Sequence, residues 1–118
     1  MIHMKLVTLE EIREINKKNE GFVMGDSSVE TALEMGEGKN LYRQLGLIWR
    51  AILVYHLFGD GNKRTAFAVT MLMMKRSGIG LNDSGIARVE NQMLKVATKN
   101  IDDVRKLERM VKYAIEGN

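Results

Sequence analysis

Apolar residues recur every three or four positions along almost the whole chain, whereas the alternation typical of half-buried strands is nearly absent. The first such series runs from Leu6 to Ile15, and Thr8 with Glu11 forms a capping-box pattern at its start. Helices of this kind must bury their apolar faces against one another. The pattern therefore predicts an all-α protein.

The same periodicity predicts two further helices before the middle of the chain. Gly21 and Gly25 are expected to end the first helix, and Ser27 with Glu30 offers a capping box for a short helix through about Met35. Residues 36–40 are then a flexible connection. The segment 41–58 is apolar on nearly every face toward its C-terminal end, which predicts a central buried helix.

Residues 62–76 form the next predicted helix and, with 41–58, a central antiparallel pair. Asn82, Asp83 and Ser84 are N-cap candidates for a helix over about residues 85–98, and Asn100 is the candidate cap of a last helix. We therefore expect a bundle of about six helices in one domain, residues 1–118, with the loop between the central pair at its bend.

Composition restricts the class of protein further. A chain of 118 residues is long enough to bury roughly 65% of its unfolded surface. It contains no cysteine, which excludes disulfides, thiolate metal sites and a cysteine nucleophile and favours a cytoplasmic location. The longest apolar run, residues 51–55, is far too short to span a membrane, and the first residues do not resemble a secretory signal.

The charge of the chain is uneven but small. Residues 1–59 carry 7 Lys and Arg against 8 Asp and Glu, whereas residues 60–118 carry 11 against 7, for a net charge of +3 overall. An excess of this size is common on ordinary solvated helix faces. Nucleic acid is therefore not the expected partner.

Residues 56–64 read His-Leu-Phe-Gly-Asp-Gly-Asn-Lys-Arg and lie between two strongly apolar segments. Turns between helices often contain Gly, Asp and Asn, because these residues tolerate unusual backbone angles. A plain turn, however, has no need of His56, Asp60, Lys63 and Arg64 in one bend. The combination is typical of a phosphate-handling site.

A helix that starts near Asn62 leaves its first N–H groups without intrahelical partners, and its dipole places partial positive charge there. Gly59 and Gly61 allow a phosphate oxygen to approach the main chain closely. Lys63 and Arg64 add two full charges on the same turn. The candidate cofactor-binding residues are thus Gly61, Asn62, Lys63 and Arg64.

Two residues of the string suit catalysis rather than phosphate binding. Asp60 repels phosphate, and a bridging Mg²⁺ resolves this contradiction because that ion is commonly held by a carboxylate together with substrate phosphates. His56 can accept a proton from an attacking hydroxyl near neutral pH. We therefore predict Asp60 as a metal ligand and His56 as the catalytic base.

Other chemistry-bearing patterns fit less well. The spacing of Gly59, Gly61 and Lys63 does not match the phosphate loop of nucleotide hydrolases, and no strand precedes it. A zinc site lacks ligands, since His3 is the only other imidazole. No second acid stands in the motif for paired-carboxylate hydrolysis.

The string 56–64 resembles the His-x-Phe-x-x-Gly/Ala-Asn-Lys/Gly-Arg signature of the Fic/Doc family, and residues 65–67, Thr-Ala-Phe, resemble its Doc, or death-on-curing, branch. The resemblance implies transfer of part of a nucleotide onto a protein hydroxyl. By this resemblance the backbone amides of Gly61 and Asn62 form an anion hole, Arg64 holds phosphate oxygens, and Phe58 anchors the loop. His56 and Asp60 keep the roles given above.

Within that family, Lys63 and Phe67 bear on the reaction type. Adenylyl-transferring members usually have Gly at the first position and Arg at the second, whereas Doc-like members have Lys and an apolar residue. The Doc pattern implies that ATP binds in the orientation opposite to that in the adenylyl-transferring members and presents its γ-phosphate to the acceptor hydroxyl. The expected activity is a Doc-like toxin kinase that uses Mg-ATP to phosphorylate Ser or Thr on a target protein, with a translation component as one candidate.

The alternatives are an adenylyl transferase of the Fic type and a catalytically degenerate binding module. The connection at residues 36–40 is shorter than the family's substrate-positioning flap. The family's inhibitory helix is not matched either, since Lys112 stands four residues before Glu116. The resemblance therefore implies a separate antitoxin protein as a partner.

Overall fold

Six α-helices and one short π-helical turn make up the fold in a computed structural model that describes residues 6–19, 27–55 and 61–117. No strand occurs in these ranges, so the all-α prediction is confirmed. The elements in chain order are α1 Leu9–Lys18, α2 Ser27–Gly36, α3 Leu41–Trp49, the π-turn Arg50–Val54, α4 Asn62–Arg76, α5 Asp83–Lys99 and α6 Val104–Glu116.

Local capping patterns locate most helix ends. The Thr8 hydroxyl accepts from the Glu11 N–H at 3.1 Å, and the Glu11 carboxylate accepts from the Thr8 N–H at 2.9 Å, so the predicted capping box is formed. Helix α1 ends at Lys18, and the predicted stops Gly21 and Gly25 lie outside the described residues. Ser27, predicted as the cap of α2, is itself helical, and the residue before it lies outside the described part.

The prediction of one helix over residues 41–58 is corrected by the structure. Helix α3 ends at Trp49, and the Tyr55 N–H then donates to the Arg50 carbonyl at 3.2 Å, a π-type bond between residues five apart. Three consecutive residues of this π-turn, 51–53, are buried because it packs on α2, α4 and α5. Because this segment is apolar on every face, its hydrophobic periodicity cannot distinguish an α-helix from a π-helix. Residues 56–58 lie outside the described part.

The predicted cap of the last helix is also wrong. Asn100 ends α5 in the left-handed conformation, with φ 50° and ψ 50°, which asparagine tolerates better than most residues. Asp103 caps α6 instead, its carboxylate accepting from the N–H groups of Arg105 at 2.9 Å and Lys106 at 3.3 Å. The sequence offers two N-cap candidates for α6, Asn100 and Asp103. Because Asn100 ends α5, Asp103 is the residue left to cap α6.

The hydrophobic core lies around α3 and the π-turn, which contact α2, α4, α5 and α6. Gly46 allows α3 to approach α6 closely, since a Cβ there would stand 3.2 Å from the backbone nitrogen of Glu108. The Trp49 indole N–H donates to the Thr70 hydroxyl at 2.9 Å, which joins the helices on either side of residues 56–60. The hydrogen bond fits the predicted central pair.

Ion pairs and hydrogen bonds at the surface fasten the outer helices. Arg76 at the end of α4 pairs with Glu11 and donates to the Leu6 carbonyl at 2.9 Å, and Arg43 pairs with Glu108 at 2.6 Å. The Arg76 guanidinium, with the Thr8 N–H, lowers the pKa of Glu11 to about 2. In the described part of the chain, no helix combines the length and the apolar character needed to cross a membrane.

Candidate functional site at the start of α4

Helix α4 begins on a left-handed glycine. Gly61 has φ 85° and ψ 6°, a conformation that side chains strain, and its carbonyl accepts the Thr65 N–H at 2.8 Å. The N–H groups of Asn62, Lys63 and Arg64 precede this first bond and have no acceptor within the helix. They form the end of the α4 dipole, as the sequence predicted.

The first turn of α4 carries two cations and no acid. Lys63 and Arg64 are both exposed there. The positive end of the α4 dipole disfavours each of these cations by roughly 0.3–1 kcal/mol. An anion bound at the helix start would attract both the cations and the dipole, and so offset this cost. Helix α6 also starts with two cations, but the Asp103 carboxylate occupies its end. The start of α4 has a glycine in that place and so offers its amides and cations to an external anion.

Asn62 contributes to this end of the helix through its main chain. Its side-chain oxygen is buried and has no hydrogen-bond partner among the described residues. An amide oxygen is an acceptor and cannot bind phosphate. An anion can therefore bind the backbone N–H of Asn62 but not this side-chain oxygen.

A buried hydrogen bond fixes α4 from behind. The Thr65 hydroxyl donates to the Asn16 side-chain oxygen at 3.1 Å, and both residues are fully buried. This bond seats the last turn of α1 against the first turn of α4. Sequence reasoning did not single out Asn16, although a polar residue one turn after Ile12 on an apolar face was a usable signal.

A cavity of about 460 Å³ opens beside the first two turns of α4. Its volume lies in the range of small-molecule sites. Its lining combines two cationic residues, four apolar residues and three that are polar or acidic. The lining residues, in that order, are Lys63 and Arg64, then Phe67, Ala68, Met93 and Leu94, then Asn19, Glu90 and Asn91.

The predicted site residues divide into two groups. Lys63 and Arg64 line the cavity, and Gly61 and Asn62 lie at the helix end beside them. His56 and Asp60, the predicted base and metal ligand, lie outside the described residues, as does Phe58. The described ranges contain no group of three or more His, Asp or Glu side chains placed to hold a metal ion. The Mg²⁺ ligand therefore stays a prediction from the sequence.

The cavity could not be predicted from the sequence. Its walls come from the end of α1, the start of α4 and the middle of α5. On α5, Glu90, Asn91 and Leu94 face outward from the helix's buried stripe, so periodicity alone marks them as surface.

No protein-family model, curated protein or solved structure matches this chain. The resemblance to the Fic/Doc family is carried by residues 56–67 of the sequence.

Proposed function

We propose that the protein transfers the γ-phosphate of Mg-ATP to a Ser or Thr hydroxyl of a target protein, in the manner of a Doc-type toxin. The observation that carries the proposal is the start of α4, where a left-handed glycine, amides without an acceptor inside the helix and two cations stand beside a cavity of nucleoside size. In such a toxin a cytoplasmic antitoxin partner restrains the activity.

The phosphates bind at the α4 end of this site. Amide N–H groups at a helix start bind phosphate oxygens at close range. The planar guanidinium of Arg64 can hold two oxygens, whereas Lys63 supplies a mobile point charge. Both side chains are exposed at one wall of the cavity, so a ligand in the cavity reaches them.

The nucleoside occupies the cavity between α4 and α5. Phe67, Met93 and Leu94 provide an apolar surface for a base, and Glu90 and Asn91 provide polar groups for its edge or for ribose hydroxyls. With the nucleoside against Phe67, the phosphates run toward Gly61 and the terminal phosphate lies at the helix start. An arginine in place of Phe67 would make the same wall suit phosphates instead, which gives the Doc-like residue a physical role.

The chemistry follows from residues adjacent in sequence to this helix start. The His56 imidazole accepts the proton as the substrate oxygen bonds to the γ-phosphorus, the bond from that phosphorus to the bridging oxygen breaks, and ADP leaves. The amides and cations of the α4 start stabilise charge on the transferred group. A Mg²⁺ ion on Asp60, when bound, neutralises charge on the phosphates.

Radiolabel from ATP tests the reaction type. The protein is incubated with a cell lysate and ATP labelled at the α or the γ position, alongside His56→Ala. We expect protein-bound label from the γ position alone, and none with His56→Ala. Label from the α position would instead indicate adenylyl transfer, and no label from either position would favour a binding module.

Nucleotide affinity tests the site itself. The double variant Lys63→Gln with Arg64→Gln should weaken binding of ATP by at least tenfold, since charge-assisted hydrogen bonds contribute about 1.5–3 kcal/mol each. The matched control is Arg105→Gln with Lys106→Gln, which removes the same two charges from the first turn of α6. Equal loss of affinity in both variants would reduce the effect to net charge and contradict the proposed site.

A further inference from the structure

A second cleft lies between α2 and the π-turn. Its volume is about 210 Å³, and it shares no lining residue with the cavity beside α4. The base is formed by Ala32, Leu47 and Ala51, and the polar groups come from Ser28, Thr31, Arg50 and Tyr55. No carboxylate is among these residues, so the cleft presents one guanidinium and three hydroxyls.

Arg50 is held in place without a carboxylate partner among the described residues. Its guanidinium carbon lies 5.8 Å from the centre of the Tyr55 ring, and its Nη1 donates weakly to the Asp102 carbonyl at 3.5 Å. Within the described part of the chain, Arg43 and Arg76 are paired with glutamates, whereas no ion pair involves Arg50. The charge of Arg50 is therefore available to an incoming group.

The π-turn is what brings Arg50 and Tyr55 together. Residues five apart lie about 140° apart around an α-helix, on different faces. The π-type bond from the Tyr55 N–H to the Arg50 carbonyl places them one above the other. Ser28 and Thr31 stand three residues apart on the facing side of α2, and neither hydroxyl is bonded to a described residue.

We propose that this cleft binds the carboxylate of an Asp or Glu side chain from a protein partner. A guanidinium binds a carboxylate through two parallel hydrogen bonds, and the hydroxyls can donate to the remaining lone pairs. A single positive charge matches a monoanion, and a volume of about 210 Å³ is enough for the end of a side chain.

The assignment goes beyond the proposed phosphoryl transfer and does not depend on it. A kinase, an adenylyl transferase or a binding module could each dock an acidic side chain here. Failure of the labelled-ATP assay would leave the cleft's binding unchanged, and failure of the cleft's binding would leave the ATP assay unchanged.

NMR titration of the whole protein tests the cleft. The probe is an end-blocked tripeptide, alanine-glutamate-alanine, and its glutamine counterpart is the control. The backbone N–H resonances of Thr31 and Tyr55, which line the cleft and are present in every variant, are followed. We expect saturable binding of the glutamate peptide with a Kd on the order of 1 mM, and none of the glutamine peptide. Arg50→Gln should weaken binding at least about tenfold, whereas Arg105→Gln should leave it unchanged.

Three outcomes would overturn the proposal: equal binding of both peptides, unchanged binding by Arg50→Gln, or saturable binding of inorganic phosphate at Arg50 without binding of the glutamate peptide. Thr31→Val provides a second variant that keeps the charge and the side-chain shape. It should weaken binding severalfold, because it removes a hydroxyl donor to the carboxylate, and unchanged binding would contradict that contact. A thermal melt of each variant checks that the fold is intact.

Discussion

Replacing Thr70 by valine should destabilise the fold through one unpaired indole. The Trp49 N–H is fully buried and donates to the Thr70 hydroxyl at 2.9 Å, and that hydroxyl donates in turn to the Ala66 carbonyl at 2.7 Å. Valine keeps the shape of threonine and opens no cavity. It removes the only acceptor that the described residues offer to the indole, since Trp49 has no other hydrogen bond there.

The expected cost is that of a buried donor left without a partner, about 1–3 kcal/mol. The entropy of unfolding at the melting temperature is near 2.1 cal/mol/K per residue, or about 0.25 kcal/mol/K for 118 residues. Each kcal/mol then lowers the melting temperature by about 4 °C, so Thr70→Val should melt roughly 4–12 °C below the wild type.

Fluorescence of Trp49, the only tryptophan, follows the transition directly. The matched control is Thr98→Val, because the exposed Thr98 hydroxyl also donates to the carbonyl four residues earlier but receives no indole bond. A Thr70→Val shift no larger than that of Thr98→Val would refute the reasoning. In the Trp49→Phe background, where unfolding is followed by far-ultraviolet circular dichroism because no tryptophan remains, the effect of Thr70→Val should largely disappear.

Three further perturbations test other contacts. Arg76 holds the pKa of Glu11 at about 2, and in Arg76→Gln a carboxyl NMR titration should show this pKa returning toward 4.5. Because the pKa of Glu11 is lower in the folded than in the unfolded protein, the stability that the pair adds should be lost as pH falls from about 4.5 to about 2. The hydrogen bond from Tyr42 to Glu116 raises the pKa of Tyr42, so Glu116→Gln should lower it in an ultraviolet titration, and an unchanged value would contradict the contact. Gly46→Val should cost about 1–3 kcal/mol in a urea melt, because its Cβ meets the α6 backbone at 3.2 Å, and an unaltered midpoint would show that α3 and α6 separate freely.

Features that depend on residues close in sequence were predictable. The capping box of Thr8 and Glu11 forms as expected, and α4 spans residues 62–76 as the periodicity indicated. Caps and amphipathic faces result from hydrogen bonds and side-chain spacing within one or two turns. The start of α4 near Asn62 and the two cations in its first turn belong to the same class, because both depend on consecutive residues.

Features that depend on contacts between distant segments could not be predicted from the sequence. The choice of Asp103 over Asn100 as the cap of α6 and the burial of Asn16 both depend on how neighbouring helices pack. The π-turn that pairs Arg50 with Tyr55 arises in a segment that is apolar on all faces.

The division has one physical cause. Local hydrogen bonding and hydrophobic periodicity are encoded in a few consecutive residues, and they determined the helices and the charge at the start of α4. The cavity beside α4 and the cleft beside the π-turn exist only where helices distant in sequence meet. Tertiary packing therefore decided which outward-facing side chains line the same cavity, because no local pattern records which distant helices meet.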